Sequence, residues 1–250
     1  MRKVVIDILL FLKENSQYLN QSTAILIFTR TAKAEAQHKH FADGANKKAN
    51  TKIARTLIQQ TVCTASKTLS PVFTIDETQQ IGSTFGEKFA NSFQKLFDQG
   101  YDKIIAIGND CPDLTAETLN NTIVELQSKE VVIGPSKDGG MYLVGLSKKT
   151  FNKSAFVSLP WQKKELLSEF IYLTKKLKLS LHLLSSLIDL DNFKEVQTYL
   201  KGGQFNTALK KLLQQTLQLS IQVFFNYTFV FFGSQHLETS ELRGPPRMEF

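Results

Sequence analysis

Two acidic turns carry the residues whose types and spacing suit chemistry. The first runs Gly108, Asn109, Asp110, Cys111, Pro112, Asp113, and the second runs Gly134, Pro135, Ser136, Lys137, Asp138, Gly139, Gly140. Carboxylates in such turns have two uses. They can hold a divalent cation that clamps a diphosphate, because hard cations take oxygen ligands. They can also simply order the turn and favour the amino end of a following helix. For Asp110 and Asp113 both readings stand on the residues alone. In the second turn, Gly139 and Gly140 allow backbone conformations closed to other residues and let the main chain approach a ligand. A plain Asp-Gly hairpin explains the same residues.

The elements that must position these turns follow from periodicity. Ile104–Ile107 is a short β-branched apolar run, which suits a strand buried on both faces. Thr115 is a helix cap, and Leu119, Ile123 and Leu126 recur on one helical face, with Leu114 placed to staple onto Leu119. Asp110 and Asp113 thus fall between the carboxyl end of a strand and the amino end of a helix, where open α/β sheets bind ligands. Val131–Ile133 and Met141–Leu146 read as strands around the glycine turn.

Elsewhere, Thr23–Phe28, Pro71–Ile75 and Leu179–Leu184 read as strands, and Asn46–Ala65 and Lys163–Lys178 as helices. Phe89, Phe93, Leu96 and Phe97 share a helical face that Gly100 ends; at that spacing they read as core. Asn192 and Glu195 form a capping box for a helix bearing Phe193, Val196 and Leu200, whose amino end Asp189 and Asp191 would favour. Trp161, ahead of a helix, is either packed hydrophobic mass or a sugar-stacking ring. Alternating strands and helices predict a three-layer α/β/α sandwich with a mainly parallel sheet. The expected organisation is an amphipathic extension over 1–21, a domain over 22–201, a helix and apolar strand-like segment over 202–233, and a disordered tail over 234–250.

Composition narrows the function classes. A hydrophobic content of 42% with 21% charged residues is ordinary for a globular protein. The net charge of +7 is compatible with anionic nucleotides. No basic stripe interleaved with aromatics is evident, so nucleic acid is not an expected partner. Asp7 breaks the apolar start and no small-residue cleavage site follows, which argues against a signal peptide. The apolar run Ile221–Phe232 is too short for a transmembrane helix. The two cysteines, Cys63 and Cys111, make neither a disulfide framework nor a zinc spacing, which suits a reducing, cytoplasmic setting. Cys111 reads as a small residue packed beneath its loop, with no His or Asn partner that would make it a nucleophile.

The combination GNDCPDLT (108–115) and VVIGPSKDGGMYLVGL (131–146), with QQIGSTFGEKFANSF (79–93), LPW (159–161) and LIDLDNFKEV (187–196), resembles a bacterial family. It is the DUF2064 family of glycosyltransferase-like proteins, within the GT-A nucleotide-diphospho-sugar transferase superfamily, and the likeness spans roughly residues 22–200. The resemblance implies a GT-A fold and glycosyl transfer from a nucleotide-activated sugar with magnesium or manganese. It puts a cation on Asp110, with Asp113 or Asp191, the last being either a ligand or part of the helix cap. It makes Asp138 the group that orients the acceptor or serves as a base. Arg30, Lys39, Gln80, Gly82, Asn109, Gly139, Gly140 and Trp161 then border the nucleotide and substrate. The chain departs from the family in Thr29–Phe41. Glu35 stands near the family's turn glycine, and His38, Lys39 and His40 stand where its basic cluster falls. That loop is either a modified phosphate cradle or a first helical turn with exposed Lys and His. Two alternatives to glycosyl transfer follow: nucleotidyl transfer that releases pyrophosphate, and a non-catalytic nucleotide-binding module.

Overall fold

The computed structural model describes residues 22–42, 47–202 and 209–217. The expected extension over 1–21, the apolar run Ile221–Phe232 and the tail over 234–250 lie outside the described residues.

Six strands form one sheet: β1 (Thr23–Phe28), β2 (Val72–Ile75), β3 (Lys103–Ile107), β4 (Val131–Pro135), β5 (Met141–Ser147) and β6 (Leu181–Leu183), in the order β2-β1-β3-β5-β4-β6. β1 pairs in parallel with both β2 and β3, and β4 with β6, while β5 runs antiparallel between β3 and β4. The mainly parallel sheet is therefore present, and the one reversed strand comes from the glycine turn after β4. From β1 the chain goes to β2 on one side and then to β3 on the other. That reversal opens a crevice at the carboxyl ends of β1 and β3.

The helices are α1 (Ala32–His38), α2 (Lys47–Ala65), α3 (Phe85–Asp98), α4 (Ala116–Glu125), α5 (Lys153–Val157), α6 (Leu166–Lys176) and α7 (Phe193–Gly202); residues 209–217 are also helical. Alternate residues of the strands serve opposite faces. Ala24, Leu26, Ile104 and Ala106 pack with the phenylalanines of α3 and with Phe156 and Phe170, whereas Ile25, Ile27, Ile105 and Ile107 pack under Leu119 and Ile123 of α4. Two-sided burial explains why these strands read as unbroken apolar runs. A third cluster joins Ile53 and Leu57 of α2, Tyr199 of α7, and Leu209, Leu213 and Leu217.

The aromatic stripe of α3 is core, as its spacing requires. Phe93 is fully buried, with Phe89, Phe97, Phe151 and Phe156 at centroid distances of 5.1, 6.1, 5.7 and 5.3 Å. The predicted caps are also formed. Thr115 accepts from the Thr118 N–H, and Asn192 and Glu195 bond reciprocally to each other's backbone. The sequence reading missed the capping box between Thr84 and Glu87 that starts α3.

Candidate active site

The crevice is a cavity of about 470 Å³, within the range of small-molecule sites. One extended strap, residues 187–191, gathers its walls. Leu187 exchanges backbone bonds with the end of β4, donating to the Pro135 carbonyl and accepting from Lys137. Leu190 donates to the Asp110 carbonyl, and His40 to the Asp191 carbonyl. The strap thus holds the Asp138 turn, the Asp110 turn and the end of the first loop together. Alternation along it leaves Leu190 fully buried and sends Asp189 and Asp191 to the cleft.

Asp138, Asp189 and Asp191 bring one carboxylate oxygen each within 4.8 Å of one another. Burial raises the Asp189 carboxyl to about 7, helped by the charges of Asp138 and Asp110. Asp191 is also raised by burial, against the pull of Lys39. Asp138 sits in a turn that fixes it: its Oδ1 accepts from the Ser136 hydroxyl at 2.9 Å and from the Gly140 N–H at 2.8 Å. Gly139 has φ +95°, and a Cβ there would lie 2.7 Å from the Lys164 carbonyl oxygen, so the turn needs glycine at that position.

On the other side Lys39 makes three ion pairs. Its Nζ lies 2.7 Å from Asp110 Oδ2, 2.6 Å from Asp191 Oδ1 and 3.2 Å from Glu35 Oε1. Glu35 is only 2% exposed and also pairs with Arg30 at 3.3 Å. Burial works to lower the Lys39 affinity for its proton, but Asp110, Glu35 and Asp191 outweigh it and hold the ammonium well above its ordinary value. Burial opposes ionisation of Asp110 too, and Lys39 overcomes it, leaving that carboxyl below its usual range.

Thr29 donates its hydroxyl to Asn109 Oδ1 at 2.9 Å, while Asn109 Nδ2 is buried without a hydrogen-bond partner among the described residues. Such a donor is costly unless a ligand or water meets it. Gln80 spends its amide on the Thr29 carbonyl at 2.8 Å, tying the exit of β1 to that of β2. Trp161 lines the cleft, yet its indole N–H donates to the Phe156 carbonyl at 2.8 Å and its ring packs on Phe85, Phe89 and Phe156. Packed mass accounts for most of its surface.

Residues 44–163 match the family model described as "Uncharacterized protein conserved in bacteria (DUF2064)". That match covers 120 of the 250 residues. Among solved structures, a protein of Desulfovibrio desulfuricans G20 named a "putative nucleotide-diphospho-sugar transferase" has a TM-score of 0.70 at 20% identity, over 81% of this chain and 98% of its own. That likeness shows the fold, which is GT-A-like. More distant are Rv0371c of Mycobacterium tuberculosis H37Rv in complex with manganese (TM-score 0.39, 11% identity, 72% and 98% covered) and 4-diphosphocytidyl-2C-methyl-D-erythritol synthase of Anaerococcus prevotii DSM 20548 (0.41, 11%, 73% and 100%). No curated protein matches the chain.

The matched segment contains both acidic turns, but β1, α1 and the strap lie outside it. Of the residues the resemblance assigns, Arg30, Lys39, Gln80, Asn109, Asp110, Asp138, Gly140, Trp161 and Asp191 line the cleft. Gly82, Gly139 and Asp113 are not among its lining residues. Asp113 instead faces the Tyr199 hydroxyl and shares in raising it, after burial. Its place beside Asp110 in sequence does not survive the turn, because successive turn residues point different ways. The loop after β1 is a helix rather than a glycine turn. His38 and His40 are exposed at its end, but Lys39 is drawn inward, unlike the exposed Lys of the helical alternative. Cys111 is buried, and burial pushes its thiol up, so it is inert packing.

Sequence reasoning missed Asp189, Glu35 and Glu77 as cleft residues. The signal for Asp189 was its spacing of two from Asp191 in an extended segment, which puts both on one side. Glu77 had no local signal; its carboxylate takes the Thr31 hydroxyl at 2.6 Å at the start of α1.

Proposed function

We propose that the chain is a transferase acting on a nucleotide-activated donor, moving a glycosyl group from a nucleoside-diphosphate sugar with magnesium or manganese as cofactor. One observation carries this reading: the switch-point cleft is lined by six carboxylates, Glu35, Glu77, Asp110, Asp138, Asp189 and Asp191, against three cations, Arg30, Lys39 and Lys88. An acidic cavity of this kind repels a bare diphosphate and welcomes a divalent cation that brings phosphate oxygens with it.

The donor set fits such an ion. Asp138, Asp189 and Asp191 offer hard oxygen atoms within 4.8 Å of one another, and the burial and like charge that raise Asp189 are what a cation offsets. These three would hold it. When bound, the ion neutralises charge on the leaving diphosphate. The chain's own groups do the rest. The Ser136 and Gly140 bonds keep Asp138 from turning away, which supports a ligand's role for it over that of a base. Asn109 offers its unmet N–H to a substrate oxygen. The GT-A-like fold, shared with a protein named as a nucleotide-diphospho-sugar transferase, supports a donor of this class.

The test is a thermal-shift screen of nucleoside-diphosphate sugars with and without manganese, followed by product analysis. Stabilisation beyond that given by manganese alone is expected only with both present, since a ligand that binds the folded state raises its melting point by mass action. Nucleoside diphosphate as product supports glycosyl transfer, pyrophosphate shows nucleotidyl transfer, and Asp191→Ala abolishes either. No shift with any nucleotide at millimolar concentration refutes the donor-binding reading.

A further inference from the structure

The resemblance puts a metal ion between Asp110 and the strap, but the geometry there belongs to an ammonium. Lys39 Nζ stands at 2.7 and 2.6 Å from Asp110 and Asp191, close charge-assisted hydrogen-bond distances. A divalent cation needs the same lone pairs at about 2.1 Å, so the two cannot share the carboxylate pair. Nor is Lys39 a surface side chain that swings in by chance. Only 14% of it is exposed. Its N–H donates to the Glu35 carbonyl, its C=O accepts from Asn50 Nδ2 at 2.8 Å, and the next residue, His40, donates to the Asp191 backbone.

Glu35 completes the arrangement. It stands near the turn glycine of the resemblance, is buried, and pairs with Lys39 as a third carboxylate while Arg30 balances it. A glycine there would leave Lys39 without its third carboxylate. The departure at Glu35 and the retained basic residue Lys39 therefore act together.

We infer that Lys39 is a built-in cation that replaces a metal ion at the Asp110–Asp191 pair, so that Asp110 is not a metal ligand and a divalent ion is confined to the Asp138–Asp189 side of the cleft, where Asp191 offers only the carboxylate oxygen that Lys39 does not hold. This rests on the metal-dependent reading above and names which carboxylates it uses. It makes Asp110 a positioning residue that acts through Lys39.

The test is direct manganese binding to the full, metal-free chain, read from the resonance signal of free Mn²⁺, with circular dichroism confirming that each variant is folded. Asp110→Asn keeps its manganese affinity within twofold of the wild type, whereas Asp189→Asn loses tenfold or more. Lys39→Met, which frees the pair, binds manganese at least tenfold more tightly. A tenfold loss in Asp110→Asn overturns the inference without touching the metal-dependent reading, and so does unchanged affinity in a folded Lys39→Met. An unaffected Asp189→Asn sinks the metal site proposed for the transferase, and the Asp110 and Lys39 arms still judge the inference. If Lys39→Met does not fold, the Asp110→Asn arm decides alone.

Discussion

Replacing Asp189 by Asn is expected to change the stability of the metal-free protein in a pH-dependent way. Burial, then the charges of Asp138 and Asp110, push the Asp189 carboxyl from an ordinary 3.8 up to about 7. The folded state therefore binds its proton more tightly than the unfolded chain does. Stability from this group is whole below about pH 3.8 and is lost as pH rises through about 7. At roughly 1.4 kcal/mol per pH unit the unscreened loss is about 4 kcal/mol. Asp189 is only half-buried, so solvent screening reduces this to about 1–2 kcal/mol. An Asn at the same place never ionises and escapes the loss. Urea denaturation with chelator present should show Asp189→Asn more stable than wild type by about 1–2 kcal/mol near pH 8, with the gap closing near pH 4. That corresponds to a few degrees in melting temperature. A gap that is the same at both pH values, or a variant less stable near pH 8, would refute the claim that burial and neighbouring charge raise the Asp189 carboxyl.

Other outcomes test the scaffold. Phe93→Ala removes a fully buried ring from among four others and should cost about 3–5 kcal/mol in urea denaturation. Gly139→Ala forces a side chain into φ +95° against the Lys164 carbonyl; a loss of about 1–2 kcal/mol is expected from the strained backbone, with a parallel loss of turnover measured as nucleoside diphosphate release. Thr84→Ala removes the cap that accepts the Glu87 N–H at 3.1 Å and should lower stability by about 1 kcal/mol without changing manganese affinity.

Much of the fold was legible because its signals are local. The β-branched runs at 23–28 and 104–107 and the helical spacing of Phe89, Phe93 and Phe97 depend on neighbours a few residues away, and the structure places all of them as read. The cap at Thr115 and the box at Asn192 are local in the same sense. The site was legible in part, since the two acidic turns both reach the crevice. Asp113 and Asp189 show why the rest was not. One stands three residues from Asp110 and turns to Tyr199, while the other stands far along the chain and faces Asp110 across the cleft.

The sequence by itself determined the strands, the helices and the acidic turns at their ends, because hydrophobic period and capping chemistry act over a single turn or pleat. Only the tertiary structure decided which carboxylates meet and which cation they hold. The strap at 187–191 brings three loops together through backbone bonds that carry no side-chain pattern. It is over those few ångströms, in a partly buried cleft, that Coulomb interactions bind Lys39 to Glu35, Asp110 and Asp191.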